Sequence, residues 1–312
     1  MIKFLCNLSV VTFNNDYCKG GNIMSKKMIQ YQELVNVVRG LKSNDAMFEF
    51  FLSACKNSNL QICQICLDAG ADINIRESFH KESLLDNLIS SGKFTTEVGD
   101  WLIEKGVDVN VMSYYSDMSS LSMACLSGNI EIVKYFIDKG LKIRQPKDDN
   151  VKHSDLDYAV WGGNDEVVKM LLELGADLDE YAYIRALENK QCKIVELFLQ
   201  KGASANINCG GYRPLHIATK NHDIQTANIL LEYNAEVNAK IKGLGCSFSY
   251  GDHDFVLTPM DIAVSTKDIN MQKLLESFGG SVSSKEEKIQ ILVNAENFKD
   301  ECRSALKKIM KS

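Results

Sequence analysis

Gly70-Ala71-Asp72-Ile73-Asn74 recurs, with drift, six more times along this chain. The echoes are Gly106-Val107-Asp108-Val109-Asn110, Gly140-Leu141-Lys142-Ile143-Arg144 and Gly175-Ala176-Asp177-Leu178-Asp179. Then come Gly202-Ala203-Ser204-Ala205-Asn206, Asn234-Ala235-Glu236-Val237-Asn238 and Gly279-Gly280-Ser281-Val282-Ser283. Successive first residues are separated by 36, 34, 35, 27, 32 and 45 positions. A period of about 33 residues is the signature of a stack of small identical units, each burying its apolar face only against its neighbours.

The stretch upstream of each motif explains why one unit needs the next. From Ser119 to Arg144, Ser119 or Ser120 can cap a helix whose buried side carries Leu121, Met123, Ala124 and Cys125. Gly128-Asn129 interrupts that helix, because glycine admits the positive φ of a tight turn. Ile130, Ile132, Val133, Phe136 and Ile137 then form a wide apolar stripe on a second helix, ended by Gly140. Neither helix can bury its stripe alone.

Composition narrows the rest. The chain has 312 residues, 45% of them hydrophobic, with 3 prolines and a net charge of -6. That balance excludes a disordered chain and a strongly basic nucleic-acid binder, so no nucleic-acid partner is expected. No run of about 18 apolar residues occurs, and no membrane partner is expected either. Among the 10 cysteines, Cys63 and Cys66 form a CxxC that would ordinarily suggest metal or redox chemistry. In the repeat register they align with Val133 and Phe136, so they read as core residues in a reducing compartment. No second CxxC or His pair follows at ligand spacing, and neither a metal nor a cofactor is expected.

These units resemble the ankyrin repeat. The first helices Arg213-Pro214-Leu215-His216-Ile217-Ala218-Thr219 and Thr258-Pro259-Met260-Asp261-Ile262-Ala263-Val264 are similar to that family's Thr-Pro-Leu-His-x-Ala segment. Weaker versions start at Ser119 and Ser154, and the recurring pentapeptide resembles the family's unit end. The resemblance implies an all-α solenoid of stacked helix-turn-helix units with protruding turns, about seven repeats over residues 47–283, flanked by N- and C-terminal helices. Residues 1–23 are then expected as a leader or disordered segment, 24–46 as an N-terminal capping helix and 284–312 as a C-terminal amphipathic helix. The family places the residue matching His216 in a structural role, and no catalytic residue is expected.

Function is sought where the units deviate. After Asp179 the connector is almost absent, which predicts a gap in the row of turns beside Tyr181 and Tyr183; simple drift is the alternative. After Asn238 residues 239–257 fill the connector, and Phe248, Tyr250 and Phe255 among glycines form either a recognition loop or a tolerated insertion. The two residues before each mid-unit break should face the inner groove, which makes Trp161 a candidate contact, with Tyr114 and Tyr115 on the turn before the third unit, the one that starts at Ser119. The C-terminal segment, with Ile291, Ala295, Phe298, Cys302, Ala305 and Ile309 on one face, either caps the last repeat or serves a partner.

The expectation is a non-enzymatic scaffold that binds another protein through the concave ankyrin face and turn tips. It would be cytoplasmic and monomeric. The alternative is an adaptor or effector of a host-associated microbe or virus, delivered into a host cell and recruiting a second factor through its C-terminal helix.

Overall fold

The computed structural model describes residues 21–41, 43–110, 118–147, 153–209, 212–242 and 256–282. They are helical apart from one two-residue ribbon and two isolated bridges. The chain forms two compact units, Met1–Asp179 and Glu180–Ser312.

In the first unit, helix α1 (Gly21–Arg39) precedes four pairs of short helices. These are α2 (Asn44–Lys56) with α3 (Leu60–Asp68), α4 (Leu84–Ser90) with α5 (Thr96–Glu104), α6 (Ser120–Ser127) with α7 (Ile130–Asp138), and α8 (Asp155–Gly162) with α9 (Asp165–Glu173). Each paired helix begins on a Ser, Thr or Asn whose side chain accepts a first-turn backbone N–H. The first helices of successive pairs pack on one another, α2 on α4, α4 on α6 and α6 on α8. Phe51, Leu88, Leu102, Cys55, Cys63 and Cys66 are fully buried, so the CxxC cysteines are core residues, and Cys55 Sγ lies 3.6 Å from Cys63 Sγ. Burial, and then the Cys55 thiol, pushes Cys66 up to about 12.

Helix α1 starts before the expected residue 24, and α2 starts before the expected residue 47, where the Ser43 hydroxyl accepts from Ala46 N. Val35 and Val38 bury one side of α1, which packs against α3. At its edge the Tyr31 hydroxyl donates to Asp68, and the Arg39 guanidinium donates to the Asp68 carbonyl at 3.1 Å.

The second unit holds α10 (Glu180–Glu188) with α11 (Cys192–Gln200), α12 (Pro214–Lys220) with α13 (Ile224–Glu232), and α14 (Pro259–Ser265) with α15 (Ile269–Ser277). Helix α10 follows Asp179 directly, without a connector. The long connector after Asn238 closes at its base into an antiparallel ribbon, β1 (Ile241–Lys242) with β2 (Val256–Leu257), a local departure from an all-helical chain. Thr258 and Asp261 form a reciprocal capping box on α14, with Pro259 in the first turn, where a missing N–H loses nothing. His216 is fully buried in α12. Among the described residues no helix is long and apolar enough to cross a membrane.

The recurring pentapeptide acquires a physical account residue by residue. Its first position follows the second helix of a pair in a left-handed conformation, with φ of +96° at Gly70 and +97° at Gly202. That turn lets the next amide reach back to the helix, as Ala71 N does to Cys66 O at 2.9 Å. Asn234 adopts φ +61° in the one described unit where the glycine is replaced, and asparagine tolerates that region better than most residues. The third residue closes its own turn: Asp72 Oδ1 accepts from Asn74 N, and Asp108 Oδ1 from Asn110 N, both at 2.9 Å. The fifth residue joins units. Asn206 Oδ1 accepts from Glu236 N at 2.8 Å while its Nδ2 donates to Asn234 O at 2.9 Å, and Asn238 repeats both bonds with Ser281 N and Gly279 O.

Candidate protein-binding surface

Helix α8 carries the exposed large apolar side chain of the predicted inner positions. Trp161 is 53% exposed, and its ring lies parallel to Tyr158, centroids 6.3 Å apart with an interplanar angle of 11°. Tyr158 is buried and receives the edge of His153 at 5.8 Å, while His153 Nδ1 sits 2.6 Å from the buried Asp157 carboxylate. The indole therefore rests on a ring anchored in the core. About half of the residue remains exposed, which suits a tryptophan contact.

The backbone under Trp161 is fixed from two sides. A Cβ on Gly162 would lie 2.3 Å from the Leu126 carbonyl oxygen, so only glycine permits α8 to approach α6 this closely. On the next turn Asn164 Nδ2 donates to Gly128 O at 2.7 Å, while Asn164 Oδ1 caps α9 through Val167 N. At the start of α8 the Ser154 hydroxyl donates to Asp179, and the fully buried Asp155 accepts from Ser122 Oγ and, at 2.8 Å, from Arg144 N. Arg144 also donates from its guanidinium to Ser122 Oγ at 3.2 Å. Burial and the neighbouring Asp155 carboxylate raise the Cys125 thiol well above its ordinary range.

The other inner positions divide by unit. In the first, Leu126 is half-buried and Ser127 exposed. In the second, Glu188, Asn189, Lys220, Ser265 and Thr266 are exposed. Asn221 is drawn partly in by donating to Leu187 O at 3.3 Å. The Lys220 ammonium lies 5.2 Å from the Tyr212 ring centroid.

Of the two tyrosines predicted beside the short connector, Tyr181 is 72% exposed in the first turn of α10. Tyr183 corrects the expectation. It is 2% exposed and packs against Phe198, with centroids 5.6 Å apart. Burial raises its hydroxyl well above the ordinary tyrosine range. The register that selects Trp161 also aligns Tyr183 with the buried Leu121, Leu156, Leu215 and Met260, so its burial was readable in the sequence. Tyr114, Tyr115, Phe248, Tyr250 and Phe255 lie outside the described residues, as does the segment 284–312.

Two exposed apolar features escaped the sequence reading. Phe79 is 75% exposed on the connector between α3 and α4. Leu178 is 41% exposed in the motif that lacks a connector, whereas the matching Ile73, Val109, Ile143, Ala205, Val237 and Val282 are at least half-buried.

A family profile described as Ankyrin repeats (3 copies) matches residues 88–182 and 156–241. The chain is an ankyrin-repeat protein. It is 29% identical over 174 residues to a putative ankyrin repeat protein of Fowlpox virus (strain NVSL), covering 53% of this chain and 49% of that one. The ankyrin chain thus spans about half the length of that relative. A putative ankyrin repeat protein of Rickettsia felis is 25% identical over 179 residues, 54% of this chain and 67% of the relative. The crystal structure of the human ASB11 ankyrin repeat domain superposes with a TM-score of 0.58 at 18% identity, covering 75% of this chain and 99% of that domain, which establishes likeness of fold.

Proposed function

We propose that this ankyrin protein is a non-enzymatic, monomeric scaffold of the cytoplasm that binds another protein through its inner helix ends and turn tips. Ankyrin repeats mediate protein–protein interaction, and the observation that carries the reading here is Trp161. A half-exposed indole stacked on a buried tyrosine, at a helix end held by the Gly162 contact, is rigid before any partner arrives. Little side-chain freedom is then lost on association. The test compares proteins recovered with the tagged full chain and with Trp161→Ala from the same cells. At least one partner should be enriched about tenfold or more by the wild type and lost by the variant, the effect of a tryptophan hot spot. Identical recoveries would sink the assignment.

A second reading is suggested by the relatives from Fowlpox virus and Rickettsia felis. It makes the chain an adaptor or effector whose residues 284–312 recruit a further factor. Deleting that segment should remove one partner while the unfolding midpoint holds. A fall in the midpoint with all partners retained would identify it as a cap.

A further inference from the structure

We propose that Cys55 and Cys63 are a reversible dithiol, a modification site that takes a low-molecular-weight disulfide as its oxidant and staples α2 to α3 through a disulfide within the chain. Their sulfurs lie 3.6 Å apart in the core, on the two packed helices of one pair, and 8 positions separate the residues. An S–S bond is about 2.0 Å long, so closure asks for a small movement inside a single helix pair.

A buried cysteine alone needs no chemistry, because it packs as a small apolar residue. The register shows where this chain goes further. Counted from the residue that caps the second helix, the place of Cys63 is filled by Val133, Val168, Val195 and Ala227 in four other pairs, all buried. In α6 and α7 the places of Cys55 and Cys63 hold Cys125 and Val133, one thiol with an aliphatic residue. The α2–α3 pair sets a second thiol against the first, at hydrogen-bonding distance.

The closed pair is quiet. Both residues are fully buried, and the bond with Cys55, then burial, hold the Cys63 thiol far above its ordinary range. Thiolates are the nucleophiles, so reaction belongs to the transiently open pair. Among the described residues α2 and α3 form the first helix pair, flanked by the single helix α1, which leaves Met28, Ile29 and Val37 exposed. An end unit of a stack opens at lower cost than an inner one.

In the open pair the Cys63 thiol gives its proton to water, and the thiolate attacks one sulfur of the small disulfide. The reagent's S–S bond breaks, one reagent thiolate leaves and takes up a proton, and Cys63 becomes a mixed disulfide. Cys55, deprotonated in turn, attacks the Cys63 sulfur and displaces the second reagent thiolate, which also takes up a proton. Two protein thiols are thus oxidised while one small disulfide is reduced to two thiols. Excess monothiol runs the same steps backwards.

The test equilibrates the full chain in glutathione buffers from fully reduced to fully oxidised, alkylates the remaining thiols in denaturant and maps tryptic peptides by mass spectrometry. Trypsin cuts between the two cysteines at Lys56. A crosslink from Cys55 to Cys63 is expected, absent in Cys55→Ala and Cys63→Val, kept in Cys66→Ala and lost on return to reduced glutathione. Cys125 should be alkylated throughout. The Asn59 amide donates to Ala54 O at 3.0 Å across the turn between the two helices, and its hydrogen exchange should slow about tenfold or more in the oxidised chain. A bond from Cys63 to Cys66, or from either member of the pair to a cysteine elsewhere, overturns the pairing. A glutathione adduct as the end product, or faster exchange at Asn59, overturns the staple. Thiols of the pair that stay free in oxidised glutathione until the whole chain unfolds overturn the proposal outright.

Discussion

The unit ends at Asn206 and at Arg144 hold the same place in the repeat and join their neighbours by different chemistry. Asn206 does the joining alone, with one neutral amide that accepts from Glu236 N and donates to Asn234 O near the surface. Where the sequence has Arg144, the joining passes to the next residue: Gln145 Oε1 accepts from Asp177 N at 2.8 Å and its Nε2 donates to Gly175 O at 3.4 Å. Arg144 is thereby released to turn inward, where its backbone exchanges bonds with Asp155 and its guanidinium reaches Ser122. The consensus residue makes a generic joint. Its replacement places a buried carboxylate at the root of the helix that presents Trp161.

The largest effect should come from breaking the buried version. Asp155→Ala removes the acceptor for Ser122 Oγ and Arg144 N at a fully buried site, leaving both donors and a nearby guanidinium without the carboxylate. Removing one member of such a buried charged network costs about 3 kcal/mol or more. Urea unfolding of the full chain should show it as a lower midpoint. A loss below about 1 kcal/mol would show that the network relaxes onto other groups. Because Trp161 sits on the same helix, near-ultraviolet circular dichroism of the indole should change as well.

That contrast also marks what the sequence could convey. Periodicity located seven helix pairs among the described residues, because each apolar stripe and each glycine stop is a local signal. It located the Trp161 position too, since exposure there follows from register. Tyr183 is buried rather than beside the gap because it shares the register of Leu121 and Leu156, while Tyr181 two residues earlier is exposed. The Arg144–Asp155–Ser122 network was invisible for another reason. Its members come from three separate segments, and no pattern along the chain says that a drifted Asn becomes a buried charge contact. The turn that carries the exposed Phe79 is fixed by Glu77 and Asp45, and no pattern along the chain announces those bonds.

A smaller effect should follow when the two joints are broken in parallel. Asn206→Ala and Gln145→Ala each delete one acceptor and one donor in exposed surroundings, where water replaces lost partners. Each should cost about 1 kcal/mol, and the two changes should add, since they lie in different compact units. Hydrogen exchange gives the sharper reading. The Glu236 amide should lose protection in Asn206→Ala, and the Asp177 amide in Gln145→Ala, with the remaining unit ends unchanged. Loss of protection spread evenly along the chain would mean that the joints are not local.

The smallest effect concerns the ties between mid-unit turns, where neutral and ionisable chemistry again stand side by side. Asn164 to Gly128 and Asn221 to Leu187 are amide–carbonyl ties that cannot titrate. The last described pair uses His222, whose Nδ1 lies 2.8 Å from Asp268 Oδ2. Asp268 also caps α15 by accepting from Met271 N at 3.0 Å. That amide first, and then His222, hold the Asp268 carboxyl below its usual range. A depressed carboxylate contributes stability that is present above its unfolded value of about 3.9 and is lost as pH falls through the lower folded value. The α14–α15 pair should therefore loosen in acid before the asparagine-tied pairs do, by less than about 1 kcal/mol for so exposed a contact. Amide exchange at Met271, followed from neutral pH to about pH 3, should show the loss in the wild type, and Asp268→Asn should flatten it by keeping a cap that does not ionise. An acid response unchanged in Asp268→Asn would assign it to other carboxylates.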